Sequence, residues 1–535
     1  MRRIKSLLNM HSAEFRHYTL HNERVVAEFR QKQRDARFTR PARDIERLTR
    51  QNKMMPRARL ELLLDPGTPF LEFSSLAANA AYGGKAPSAS CITGVGIVGG
   101  REAVINASDS SVKGGAWYPL TVKKTVRALE IALENRLSVI HMCDSAGGFL
   151  PLQSQLFGDK HMAGRIFRHQ THLSKLGCKQ LALVFGHCTA GGAYIPALSD
   201  YSVIVEGTGA VFLGGPPLVK AATGEEVTVD ELGGARMHTT VSGTCDYYAR
   251  SEHEAIVIGR EIVMQWERRP KFPLQREEPE EPYYDPRELY GIIPDDIKKQ
   301  FDMREVIARI VDGSRFSEYQ PNYGPTMVCG FANIWGYKVG ILGNNGVLFN
   351  DSSLKAAHFM ELCNQNHMPL VFLQNITGYM VGKEYEQRGI TKDGAKMIMV
   401  QACSEVPKFT VMTNGSFGAG NYGMCGRAFD ARTLFSWPHS QLSVMGADQA
   451  ANTLVTIKLA QLRRKGKESG PGEIETIRQQ VLDDFHDQTS AYYTSSEIWD
   501  DGIIDPVDTR NALGISIATS LNAPFGDARY GVLRL

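Results

Sequence analysis

Val184–Tyr194 reads VFGHCTAGGAY, and 228 residues later Met412–Tyr422 reads MTNGSFGAGNY. The two stretches align without a gap. In the first, Leu181 to Phe185 has the apolar character of a buried strand. The small residues that follow lead into an amphipathic pattern, so a helix is expected to begin near Gly191–Gly192. Ala419–Gly420 stand in the equivalent place in the second stretch. Where a strand turns into a helix, the first N–H groups lack intrahelical partners and point outward. The helix dipole adds partial positive charge there. Small residues let a ligand oxygen approach, and the product is an oxyanion hole built only of main chain. A lone turn of this kind is more often a mere packing point between strand and helix. Its recurrence at matched positions points to function. One hole stabilises an enolate; two, in one chain or across a dimer, hold two oxyanions facing each other.

The match extends outward from these turns. Arg57 to Asp65 (RARLELLLD) recurs as Arg304 to Asp312 (REVIARIVD), each followed by an F-x-E-aromatic tetrad, FLEF at Phe70 and FSEY at Phe316. Paired strands around a glycine turn come next, GREAVIN from Gly100 and GYKVGIL from Gly336. In the first half Val122, Val126, Leu129 and Leu133 then form one apolar helical stripe. NRLSVIHMCD ends at Asp144, and its counterpart NHMPLVFLQN ends at Asn375. Four blocks in the same order make the chain a tandem repeat. Prolines 270, 273, 279, 282, 286 and 294, with Glu277, Glu278, Glu280 and Glu281 among them, mark the linker. The division is therefore 1–275, linker 276–296 and 297–535, with α/β organisation in both halves.

The 535 residues carry 60 Lys and Arg against 58 Asp and Glu, so neither nucleic acid nor a membrane surface is an expected partner. No apolar run approaches the ~18–20 residues that a membrane span requires. The nine cysteines form no C-x-x-C pair and read as buried, reduced thiols. The N-terminus MRRIKSLLNMHSAEF lacks the apolar segment of a secretory signal. Glu14, Glu23 and Glu28 argue against a mitochondrial presequence, so a cytoplasmic protein is expected rather than one of the mitochondrial matrix.

Catalytic side chains are scarce. There is no H-E-x-x-H, no G-x-S-x-G, no metal-spaced cluster and no Walker A ending. Lys220 in GPPLVKAATGEE is a candidate phosphate or carboxylate contact, against the reading of a solvated loop lysine. His141 and His187 are candidate bases, though a structural histidine is the commoner case. Asp144 is a candidate carboxylate whose repeat partner is the neutral Asn375. The residues thus lead to enolate-type chemistry at two holes with no protein base in view.

SVKGGAWYPLTVKK, CTAGGAYIPALSD, GPPLVKAATGEE, LYGIIP, LQNITGYMVG, KDGAKM and SFGAGNYGMCGRAF carry a specific resemblance. Over nearly its full length the chain resembles the carboxyltransferase (β) subunits of biotin-dependent acyl-CoA carboxylases. It is most similar to their methylcrotonoyl-CoA and geranyl-CoA branch. The resemblance implies two tandem crotonase-like domains of repeated ββα units, with no ATP site or metal in this chain. It implies a partner α subunit with biotin carboxylase and biotin carrier domains, and an α6β6 assembly around a β hexamer. Biotin, carried on that subunit, would enter between the N domain of one β subunit and the C domain of another. Gly191 and Gly192 would hold the oxygen of the coenzyme A thioester, and Ala419 and Gly420 the biotin ureido oxygen. Phe417, Gly418, Tyr422, Thr377 and Gly378 would line the biotin side. Lys113, Gly114, Gly115, Ala146, Gly147 and Phe149 would line the acyl-CoA side. The biotin nitrogen itself would take the γ proton of a 2-enoyl-CoA, which accounts for the missing side-chain base.

One loop departs from the pattern. Where the methylcrotonoyl branch usually reads D-S-G-G-A-N-L-P, this chain has DSAGGFLP over Asp144–Pro151. Phe149 there either narrows the pocket or moves aside and lengthens it. A short branched 2-enoyl-CoA is the favoured substrate, with geranyl-CoA the alternative. A crotonase-type hydratase would need acids beside its hole, and neither Ala193 nor Tyr194 serves. A biotin-dependent decarboxylase or a non-catalytic scaffold are the remaining readings.

Overall fold

The computed structural model describes residues 1–464 and 471–534. The strands are β1 (Arg2–Arg3), β2 (Leu71–Phe73), β3 (Cys91–Val98), β4 (Arg101–Ser108), β5 (Ser138–Ser145), β6 (Gln180–Thr189), β7 (Tyr201–Val205), β8 (Ala210–Phe212) and β9 (Tyr247–Ala249). They continue with β10 (Arg315–Tyr319), β11 (Met327–Ile334), β12 (Tyr337–Asn344), β13 (Leu370–Ile376), β14 (Lys408–Phe417), β15 (Thr433–Ser436) and β16 (Gln441–Ser443). One sheet runs β2-β3-β4-β5-β6-β7-β9 with β8 beside β6. The other runs β1-β10-β11-β12-β13-β14-β15 with β16 beside β14. In each the hairpin side is antiparallel and the rest parallel. The two sheets are therefore two copies of one topology, an α/β fold in which parallel strands require crossover helices.

The repeated blocks have physical reasons. Arg57 grips Glu72 of the first F-x-E tetrad at 2.7 Å, and Arg304 grips Glu318 of the second at 2.5 Å. Asp65 accepts from the N–H groups of Gly99 and Gly100 in the β3–β4 turn; Asp312 accepts from Trp335 and Gly336 in the β11–β12 turn. Each carboxylate is backed by an arginine, Arg260 or Arg510. The helix Pro119–Glu134 buries Val122, Val126 and Leu129 as the stripe predicts, while Leu133 is half-buried. Asn350–Gln365 is its counterpart.

The chain ends cross between the halves. Arg2 and Arg3 pair with Phe316 and Arg315 of the second sheet. Asn22, in the helix Ala13–Phe38, donates to the carbonyls of Tyr290 and Ile293. Returning from the other side, Asp501 and Ser496 accept from the N–H groups of Ser74 and Ala78. All nine cysteines are free, and eight are buried. Among the described residues no helix is long and apolar enough to cross a membrane, and no group of three His, Cys, Asp or Glu residues could hold a metal.

Candidate active site

The same irregularity precedes both turns. Cys143 of β5 pairs with Val184 of β6, and Ser145 pairs with Cys188, so two steps on β5 span four on β6. Gln374 pairs with Met412 and Ile376 with Ser416, which is the same slip between β13 and β14. Extra residues of this kind bend a strand and re-aim the segment beyond it. Each bulge lies directly ahead of its small-residue turn. β6 is consequently longer than the Leu181–Phe185 strand expected from sequence.

The helices after the turns are shorter than expected. The first is one 3-10 turn, Ala190–Ala193, and one α turn, Tyr194–Ala197; the chain must rejoin the sheet at Tyr201. The second is Ala419–Gly423. So little helix carries little dipole. What remains is the set of first-turn N–H groups, which lie ahead of the helix's own acceptors. At the second turn Gly418 has φ +62° and ψ −153°, a conformation open essentially to glycine alone. Its N–H donates to Ser443, and Asn421 is the next donor to close back, onto the Gly418 carbonyl at 3.1 Å. Ala419 and Gly420 fall between them. A Cβ on Gly420 would sit 2.5 Å from Ile376 Cγ2, whereas one on Gly192 would meet no atom within 4 Å. Tyr194 and Tyr422 follow at matched positions and are each 46% exposed.

Each turn opens on its own cavity. The first, about 370 Å³, is lined by Ala193, Tyr194, Val211, Phe212, Leu213 and His238 among others. The second, about 680 Å³, includes Gly418, Ala419, Tyr422, Arg427, Val444 and Trp499. They share no lining residue. Thr377 is exposed, and Gly378 Cα lies 3.7 Å from the Cβ position of Gly420, so this loop adjoins the second turn. Phe417 is buried and packs beneath, its ring against Gly415.

The acyl-side loops are zipped together. Ala146 N–H donates to Gly114, Trp117 N–H to Gly147, Phe149 N–H to Trp117, and the Ser145 hydroxyl to the Gly115 carbonyl. Lys113 is exposed at their edge. Phe149 is turned against Tyr118, stacked at 4.5 Å, with Tyr82 behind it at 4.8 Å from Tyr118. An asparagine at 149 could not complete this aromatic row.

Of the candidate bases, His141, Asp144 and Lys220 have polar partners, whereas His187 is exposed. His141 is buried between Asn106 and Gln170, and burial pushes its pKa down to about 4. His187 lies edge-on against Phe212. Burial alone would raise the Asp144 carboxyl, but Arg59 and Lys53 outweigh it and hold the group below the usual range. Lys220 pairs with Glu226 at the surface. Phe167, from the helix Ala163–Lys175, is a site neighbour absent from the sequence reading. Its Cζ is 3.5 Å from the Cβ position of Gly191, and its ring meets Tyr194 edge-on. It stands 24 residues before Gly191, and nothing in its own pattern marks which neighbour it covers.

Comparison with known proteins identifies the family. A carboxyl transferase domain model matches residues 48–528. The methylcrotonoyl-CoA carboxylase beta chain of Dictyostelium discoideum is 51% identical over 497 residues, covering 92% of this chain and 84% of that protein. The biotin-dependent 3-methylcrotonyl-coenzyme A carboxylase beta1 subunit of Mycobacterium tuberculosis is 48% identical over 522 residues, 96% and 97% of the two chains. The solved beta subunit of geranyl-CoA carboxylase from P. aeruginosa superposes with a TM-score of 0.88 at 37% identity, covering 99% of each chain.

Proposed function

We propose, from the premise that this chain belongs to the carboxyl transferase family, that it is the β subunit of an acyl-CoA carboxylase acting on 3-methylcrotonoyl-CoA. The observation that carries the mechanism is the pair of repeat-equivalent turns, each with a bulge behind it and a cavity before it. The N–H groups of Gly191 and Gly192 hold the thioester oxygen. Removing a γ proton from the enoyl chain places charge on that oxygen, so these bonds strengthen as the dienolate forms. One such donor supplies about 3 kcal/mol of barrier lowering. The N–H groups of Ala419 and Gly420 hold the ureido oxygen of biotin, and the apolar walls at Leu442, Val444 and Trp499 suit its uncharged rings. Biotin bound there would supply the carboxyl donor and a nitrogen base.

The separate cavities favour a site completed between copies. Exposed Leu213 lines the first, with exposed Leu218 packed on Gly214 at its wall, and exposed Val444 lines the second. Burying these patches against one another brings the two holes face to face. An α6β6 assembly, with biotin carried on the α subunit, fits this requirement.

Phe167 over Gly191 shortens the acyl space and favours the branched C5 chain. Phe149, folded onto Tyr118, leaves room instead and favours geranyl-CoA as the second reading. The test is a panel of acyl-CoAs with ATP, bicarbonate and the biotinylated α subunit. 3-Methylcrotonoyl-CoA should give the highest kcat/KM. Activity on propionyl-CoA and on no enoyl-CoA would overturn the assignment.

A further inference from the structure

The two bulges are alike in register and opposite in chemistry. In the first, Gly186 has no side chain, and the space is taken by charge. A Cβ there would lie 1.8 Å from Asp144 Oδ1 and 2.6 Å from Lys53 Nζ. Lys53 donates to Asp144 at 2.9 Å and Arg59 at 3.1 Å. Arg59 also makes a fork to Glu252, at 2.8 and 2.6 Å, and lies over the ring of Phe185, the residue before the bulge glycine. Two cations and two anions thus balance in a nearly dry pocket; no side chain among the four is more than 9% exposed.

In the second half the residues equivalent in sequence to Lys53, Arg59 and Asp144 are all neutral. By the offsets of the repeat, Lys53 corresponds to Gln300, Arg59 to Val306 and Asp144 to Asn375, while Gly186 becomes Asn414. Asn414 fills the space with its own side chain, donating to Asn375 Oδ1 at 3.0 Å. The turn beyond is tied as well: Asn421 donates to the Ser416 hydroxyl, which donates to Gln374 Oε1. The matching residues of the first half are Ala193, Cys188 and Cys143, two thiols and a methyl packed in one apolar cluster. Apolar contact is non-directional. Among the described residues the first turn has the Cys143–Cys188 thiol contact and the Gln170 bond to the Ile195 carbonyl in place of the Asn421–Ser416–Gln374 chain, and the polar groups packed against its bulge are those of Lys53 and Asp144.

We infer that Lys53 and Asp144, braced by Arg59 and Glu252, are positioning residues for the first hole. They fill the bulge at Gly186 and set the direction in which Gly191 and Gly192 present their N–H groups. This deepens the proposed function and rests on its assignment of the first hole. A buried ion pair with one member removed leaves an uncompensated charge, whereas removing both is tolerated far better. A misaimed hole of about 1 Å costs on the order of 10²-fold in rate.

The experiment compares wild type, Asp144→Asn and Lys53→Gln/Asp144→Asn, all as full β chains, alone and assembled with the α subunit. The double variant carries the residues the second half already uses. Asp144→Asn should lower kcat about 10²-fold with KM for 3-methylcrotonoyl-CoA within about threefold. It should also raise amide hydrogen exchange at least tenfold in peptides over 184–194 and leave 412–422 at the wild-type rate. The double variant should regain at least tenfold in kcat and restore the exchange rate of 184–194. Equal acceleration at both turns, or a double variant as impaired as Asp144→Asn, would overturn the inference. If Asp144→Asn does not fold, the exchange rate of 184–194 in the double variant decides. A wild type inactive on every acyl-CoA sinks the proposed function, while the exchange comparison still judges the positioning role.

Discussion

Gly192 and Gly420 hold equivalent places in the repeat yet tolerate different changes. Gly420→Ala drives a methyl to 2.5 Å from Ile376 Cγ2 and should cost about 1–3 kcal/mol of stability, read as a lowered Tm. Gly192→Ala meets nothing within 4 Å and should leave Tm unchanged. Gly192→Pro deletes the donor itself, and turnover should vanish; wild-type turnover would refute the first hole. These contrasts were legible in part. The two small-residue runs stand out in sequence because their spacing is free of gaps. Which glycine is crowded depends on Ile376, a residue of the neighbouring strand that no local pattern connects to position 420.

Elements do for the site what single residues cannot. The sequence reading expects amphipathic helices and a helix dipole behind each hole; the structure has one-turn segments, because β7 and the Gly426 turn claim the chain within a few residues. A bulge stands directly ahead of each turn instead. A bulge leaves no periodic signature, since it adds residues to one strand in response to its neighbour. The repeated blocks were legible for the opposite reason: Arg57 with Glu72 and Asp65 with the β3–β4 turn are local ties renewed in both halves. The helix Ala163–Lys175 matters through Phe167. Phe167→Gly should shift the ratio of kcat/KM toward geranyl-CoA by at least tenfold; an unchanged ratio would remove Phe167 from the acyl pocket.

Across the whole molecule the halves are clasped by charge. Arg127, on the helix Pro119–Glu134, makes a fork to Asp501 at 2.8 and 3.0 Å, and Arg427 joins at 2.8 Å. Burial would raise the Asp501 carboxyl, but the two arginines hold it well below its ordinary value. A depressed carboxyl stabilises fully above its unfolded pKa, about 3.9. Stability from this clasp should therefore be constant at neutral pH and fall as the pH drops below about 4. Arg127→Met, which leaves Arg427 donating to Asp501, should cost about 1.5–3 kcal/mol in urea unfolding for the lost charge-assisted bonds. The clasp fixes two sheets of one topology in a single body, and the proposed assembly then sets the first hole of one copy against the second hole of another. Ala419 is the place to test that arrangement, because it is the first residue of its helix, where proline fits the backbone and removes only the N–H. The deciding measurement is bicarbonate-dependent carboxylation of 3-methylcrotonoyl-CoA by Ala419→Pro β subunits assembled with the biotinylated α subunit. The account predicts a loss of at least about 10²-fold at unchanged Tm; a wild-type rate would contradict it.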